Sequence, residues 1–158
     1  MKKIFYIMLL GVMIITSCQK ELEIGETATK KMAGEWFLRY SDDGGETWGD
    51  YTHFSTYNTA SNSSSEMWLD DLETFWPMKG KVSIDVGNKT FSGANIANEY
   101  AESTFTITDG KILEKAAKAS GSKTVTDSLY FKATFSDDPG TEYILAGYRK
   151  TGFLEDEH

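Results

Sequence analysis

The chain is poor in the residues that nucleophilic catalysis and metal binding most often use. Its 158 residues include one cysteine, Cys18, and two histidines, His53 and His158. A lone cysteine forms no internal disulfide, and a Cys/His zinc site is disfavoured by the same count. Positive charge is also scarce: 16 Lys and Arg stand against 24 Asp and Glu, for a formal net charge of −8. That balance repels phosphate backbones and anionic bilayers, so nucleic-acid binding and a polybasic membrane face are both disfavoured. No Gly-x-Ser-x-Gly elbow occurs anywhere. Ser120-Gly121-Ser122-Lys123 has a Ser-x-x-Lys spacing, but within a Gly/Ser/Lys turn where such coincidences are cheap. His158 is the last residue, where chains usually fray, and His53 reads as a strand-face residue rather than a base. The acidic pairs Asp42-Asp43, Asp70-Asp71 and Asp137-Asp138 lack EF-hand spacing and read as solvated loop acids. No cofactor or metal is called for.

What is present begins at the amino terminus. Lys2 and Lys3 precede an apolar run from Ile4 to Ile15, then Thr16-Ser17-Cys18. The run is short for a spanning helix and suits a signal peptide over 1–17. Ile15-Thr16-Ser17-Cys18 resembles the lipobox of bacterial lipoproteins, which implies that Cys18 is lipidated and becomes the new amino terminus. An exported lone thiol is exposed to unwanted pairing, and modification of Cys18 removes that hazard. Gln19-Lys20-Glu21-Leu22-Glu23 resembles a short tag that sends lipoproteins of one Gram-negative phylum to the outer face of the outer membrane; a solvated tether is the plainer reading. Residues 18–31 are expected to be a lipid-anchored tether and 32–158 a single domain.

Beyond the tether the pattern alternates. Val82, Ile84 and Val86 share one face of their segment, and Thr104-Phe105-Thr106-Ile107-Thr108 repeats the period of two. Strict alternation predicts half-buried antiparallel strands. Asp109-Gly110 is the strongest hairpin signal, with further turns at Gly87-Asn88, Asp138-Pro139-Gly140 and a longer loop from Asp42 to Gly45. Strands are predicted at 34–40, 51–59, 66–70, 75–86, 89–97, 103–108, 111–116, 124–135 and 142–150. The best helical candidate, Ile112 to Ala119, is short. The expected fold is all-β: a single antiparallel barrel of eight to nine strands.

Aromatic side chains make up 13% of the chain. The stretch from Tyr57 to Trp76 concentrates them around a polar loop, Ala60 to Ser65, and ends beside a run of acids. A barrel of this strand number can be filled by side chains or can hold one small ligand. Phe54, Tyr57, Trp68 and Trp76 are the candidate cavity walls, with plain core packing as the alternative for each.

Gly34-Glu35-Trp36, on the first strand after the tether, resembles the Gly-x-Trp signature of lipocalin-like (calycin) barrels. The resemblance implies that Trp36 plugs one end of the barrel and that a basic residue of the last strand packs across it. Arg149 is the match, with Lys150 as fallback. A fuller resemblance links Ala33–Trp36, Thr56–Ala60, Glu66–Asp71, Phe75–Lys79 and Thr90–Ser92 to the lipid-binding putative hydrolases, a family of exported calycin-like lipoproteins. It implies an outer-membrane lipoprotein, facing the cell surface or the periplasm, that binds a lipid or other hydrophobic small molecule. It also leaves ester hydrolysis open, and a third reading is an accessory subunit of a surface uptake or adhesion complex. Thr126-Asp127-Ser128-Leu129 is one residue from a Gly-Asp-Ser-Leu hydrolase box, but mid-strand in an all-β chain. The expectation is binding without catalysis.

Overall fold

A computed structural model describes residues 25–158; the expected signal peptide (1–17), Cys18 and the first half of the expected tether (18–24) lie outside the described residues. Eight strands run in chain order: β1 (Gly34–Ser41), β2 (Thr52–Asn58), β3 (Glu66–Asp70), β4 (Lys79–Asp85), β5 (Thr90–Ala97), β6 (Thr104–Lys118), β7 (Val125–Phe135) and β8 (Asp138–Arg149). Each pairs antiparallel with the next, and β1 closes on β8 from Trp36↔Arg149 to Ser41↔Ile144. The single helical feature among the described residues is a 3-10 turn, Leu154–Asp156. The expected antiparallel barrel of eight to nine strands is therefore present with eight, one fewer than the nine strand segments predicted.

The count differs because Asp109-Gly110 is not a hairpin. Asp109 has the positive φ (55°) that such a turn needs, but the ladder to β7 resumes on both sides, Thr108↔Lys132 and Lys111↔Tyr130. The dipeptide is an irregularity inside one long β6 and increases its bend. A methyl at position 110 would run into the Phe91 carbonyl and ring, so glycine lets β5 approach. The helical candidate Ile112 to Ala119 falls in the second half of β6 and after it, where Ile112 points into the core. A second shift near Lys115, also at positive φ (52°), explains its broken alternation. Phe75 and Trp76, expected at a strand start, lie instead in the β3–β4 loop. Asp138-Pro139-Gly140 begins β8, the turn being Ser136-Asp137.

Alternation decides what faces inward. Trp36 and Leu38, Phe54, Met67 and Leu69, Val82, Phe105 and Ile107, Leu129 and Phe131, and Leu145 form one contiguous buried cluster. These side chains fill the barrel, as packing at interior density requires when no ligand takes their place. A smaller cluster, Phe37, Tyr148 and Ala119, lies on the outside beneath the carboxy-terminal segment.

The two ends of the barrel differ. One is closed by Trp36, fully buried, whose Nε1–H donates to Thr56 Oγ1 at 2.9 Å. The Arg149 guanidinium carbon lies 4.2 Å from the centre of the Trp36 ring. Arg149 also donates to the Ala33 carbonyl (2.7 Å) and to Asp127 Oδ2 (3.2 Å), leaving its charge paired. A Cβ at Gly34 would overlap this guanidinium, which is why the signature needs glycine two residues before the tryptophan. Trp36→Ala should destabilise the barrel by about 3–5 kcal/mol in denaturant unfolding, as large-to-small core changes do. Gly34→Ala, which removes nothing, should also lower the unfolding midpoint because its methyl displaces Arg149; an unchanged midpoint would contradict this packing.

Candidate functional site

The other end is covered by the loop joining β3 to β4, residues 71–78, and one carboxylate shapes it. Asp71 is fully buried and accepts four backbone N–H bonds: from Glu73 (2.9 Å) and Met78 (2.9 Å) on Oδ1, and from Phe75 (3.3 Å) and Trp76 (3.0 Å) on Oδ2. Burial pushes its carboxyl up, against these four bonds, which favour the anion. Leu72 and Glu73 both take positive φ (54° and 59°), turning the chain tightly about that side chain. Thr74 pins the loop to β2, donating to the His53 carbonyl (2.9 Å) and accepting the His53 N–H (3.2 Å).

The result folds Phe75 and Trp76 over the barrel mouth. Phe75 meets Tyr40 at 4.7 Å and Tyr143 at 5.5 Å between ring centres; Trp76 meets Phe135 at 5.6 Å and Tyr143 at 6.0 Å. Trp76 Nε1–H reaches Asp137 (3.4 Å) and the Tyr143 hydroxyl donates to Asp138 (2.7 Å), so both rings are held in place at their polar ends. Burial first, and then that bond to Asp138, push the Tyr143 phenol up to about 12. Between these rings and the β1–β2 loop opens a cleft of about 500 Å³, lined also by Asp42, Asp50, Thr52 and Thr74. Its size lies in the ordinary range of small-molecule sites. A second cleft of about 510 Å³ lies along β4–β6, lined by polar residues such as Ser83, Asp85, Thr90 and Asp109, by Lys111 and Ile84, and by a single aromatic, Phe91, where the first has four.

Of the four expected cavity walls, Trp76 alone lines the mouth cleft. Phe54 points inward but is fully buried in the filled core, 5.9 Å from Phe131. Tyr57 and Trp68 stand on the outside of the wall, because Met67 and Leu69 take the inward positions of β3 and Thr56 that of β2. There Lys79 lies 5.6 Å from the ring centres of both Trp68 and Tyr100, and Asp70 accepts the Tyr57 (2.7 Å) and Tyr100 (2.8 Å) hydroxyls. Asp70 and Asp71 are thus buried structural acids rather than solvated loop residues. Tyr40, Phe75 and Tyr143 were missed. Continuing the inward positions Trp36 and Leu38 by two reaches Tyr40, and continuing back from Leu145 by two reaches Tyr143.

His53 makes no hydrogen bond to a serine among the described residues; its Nε2 lies 3.7 Å from Glu35 Oε2. His158, expected to fray, is instead held against the outer wall. It stacks on Tyr51 at 4.2 Å, and its Nε2 lies 2.9 Å from Ser120 Oγ and 2.8 Å from Tyr148 Oη. A serine–histidine contact is the first requirement of a nucleophilic hydrolase. The amides that follow Ser120, however, both donate to Asp156: Gly121 at 2.9 Å and Ser122 at 2.7 Å. Those N–H groups are therefore unavailable to stabilise an oxyanion. Asp156 also accepts the Ser122 and Thr151 hydroxyls, both at 2.6 Å, tying the chain end to the β6–β7 turn.

The family model described as lipid-binding putative hydrolase matches residues 21–154. The chain belongs to that family. Its members are named for lipid binding, and an eight-stranded barrel with an aromatic mouth is compatible with a hydrophobic ligand. No curated protein matches the chain.

Burial alone would raise the Asp156 carboxyl, but the Ser122 and Thr151 hydroxyls and the two amides outweigh it and hold it well below the ordinary carboxylate range. A depressed native pKa adds stability that is complete above the unfolded value of about 3.9 and is lost as pH falls through the native one. Asp156→Asn should therefore lower the Tm at neutral pH and flatten the acid limb of the Tm–pH curve below about pH 4. A variant whose acid limb matches the parent's would show that Asp156 is not the titrating tie.

Proposed function

We propose that this protein is an exported lipoprotein that binds a lipid or other hydrophobic small molecule at the mouth of its barrel, without catalysis. The aromatic cleft formed by Tyr40, Phe75, Trp76 and Tyr143 carries the reading. The interior is already occupied by its own side chains, whereas the mouth offers apolar ring faces beside open space. Binding there requires no unpacking of the core. In this reading residues 1–17 are a signal peptide, Cys18 bears the lipid, and 18–31 tether the barrel to the outer membrane, in keeping with the lipobox-like Ile15–Cys18. The described residues 25–33 reach β1 at the Trp36 end, the end of the barrel opposite the cleft. That orientation suits capture of a ligand from outside the anchoring bilayer.

Hydrolysis is the rival reading, and the Ser120–His158 contact favours it. The Asp156 bonds to the Gly121 and Ser122 amides weigh against it, making the contact part of a structural latch. Two assays separate the readings. Short- and long-chain acyl esters should show no turnover above the uncatalysed rate; turnover abolished by Ser120→Ala or His158→Ala would overturn the non-catalytic reading. The uncharged apolar fluorophore N-phenylnaphthylamine should bind the purified protein. Trp76→Ala should weaken that binding about ten-fold, the worth of one buried aromatic contact. Trp68→Ala, on the outer wall, should leave it unchanged. Cys18→Ala should release the protein from the membrane fraction in its host; membrane-bound Cys18→Ala protein would defeat the anchor.

A further inference from the structure

The charges around the mouth constrain what the cleft can hold. Four aromatic residues line it at angles to one another, Phe75 standing at 75° to Tyr143 and Trp76 at 40°; Tyr40, Phe75 and Trp76 are half-buried, and Tyr143 is buried beside them. Asp42 and Asp50 line the same cleft, both exposed, and among the described residues neither forms an ion pair. No lysine, arginine or histidine lines it. Two further carboxylates, Asp137 and Asp138, hold the Trp76 and Tyr143 rings from the rim. Asp43, beside Asp42, is engaged separately, accepting the Ser41 and Thr47 hydroxyls at 2.7 and 2.6 Å.

A fatty-acid head placed here would meet Asp42 and Asp50 with no cation to offset them. A cation would meet aromatic residues, whose ring faces attract positive charge, and two exposed carboxylates without an ion-pair partner among the described residues. We propose that the mouth cleft takes an amphiphile with a cationic head, an alkylamine or quaternary ammonium, seated between the aromatic faces and the Asp42 and Asp50 carboxylates. The proposal rests on the mouth being the ligand site, and it commits that site to one head-group charge. The aromatic cleft makes the site; the carboxylates select its ligand. The net charge of −8 assists by drawing cations toward the surface from a distance.

The test compares three single-chain probes of one length below their micellar concentrations, at low salt: decyltrimethylammonium, decanoate and decanol. Binding is followed by titration calorimetry, with the Trp76 indole N–H resonance reporting occupancy of the mouth. Decyltrimethylammonium should bind about ten-fold more tightly than decanoate, the sum of modest cation–π and charge contributions. The double variant Asp42→Asn/Asp50→Asn should bring the two within about two-fold while leaving decanol binding unchanged. Decanoate binding as tightly as the cation, with the Trp76 signal moving, would overturn the charge preference and leave the mouth site standing. A cation preference that survives the double variant would place the selectivity elsewhere and also overturn the proposal. If none of the three moves the Trp76 signal, the mouth is not the ligand site, and the proposal falls with that reading.

Discussion

The barrel depends on the stack of Arg149 on Trp36. Closing an eight-stranded sheet requires β1 to pair with β8 across the widest sequence separation in the fold, and loop-closure entropy opposes that pairing until contacts reward it. Trp36 sits at the first residue pair of that seam, opposite Arg149 itself. The guanidinium covers the indole, bonds the Ala33 carbonyl ahead of β1, and pairs with Asp127 on β7. One side chain therefore ties the chain's entry, its last strand and a third strand to the same ring. The glycine at position 34 is the steric condition for this, since any side chain there would occupy the guanidinium's place.

With that end fixed, two buried carboxylates organise what the strands cannot. Asp71 gathers four amides of the β3–β4 loop, and Asp156 gathers two amides and two hydroxyls around the β6–β7 turn. A buried acid is tolerated only when its lone pairs are occupied, and both are. The consequences differ. Asp156 seals the outer wall with residues near the chain's own end, occupying the two amides that follow Ser120. Asp71 presents Phe75 and Trp76 at the mouth, where rings gain packing on one side and keep space on the other.

The all-β class, the single barrel and most strand boundaries were legible because alternation has one meaning in a half-buried sheet. The pairing of Trp36 with Arg149 was legible through the Gly-x-Trp resemblance. Asp109-Gly110 misled because positive φ is shared by a type I′ turn and a bulge, and local sequence does not say whether both flanks find partners in neighbouring strands. Tyr57 and Trp68 misled for a related reason. Hydrophobicity suggested an inward tryptophan on β3, but the register gave those positions to Met67 and Leu69, and Lys79 shields the indole outside. The mouth itself was only half legible: Trp76 was visible, but Tyr40 and Tyr143 come from strands more than a hundred residues apart and meet only because β1 and β8 pair.

That filled interior also bears on the proposed site, because an apolar ligand could be handled by such a barrel in two ways. Placing an acyl chain inside would displace side chains such as Phe54, Leu69 or Phe131, each worth about 1.5–3 kcal/mol of buried apolar surface. The ligand would have to return that energy and the cost of opening the Asp71-bound loop besides. At the mouth neither cost arises, because Tyr40, Phe75 and Trp76 are only half-buried before anything binds, with Tyr143 buried beneath them. A ligand there gains burial against rings already oriented by Asp71, Asp137 and Asp138, so little ordering entropy is spent on binding. For the proposed site, that comparison favours a shallow mouth over the barrel interior, with the barrel beneath it serving as a rigid support.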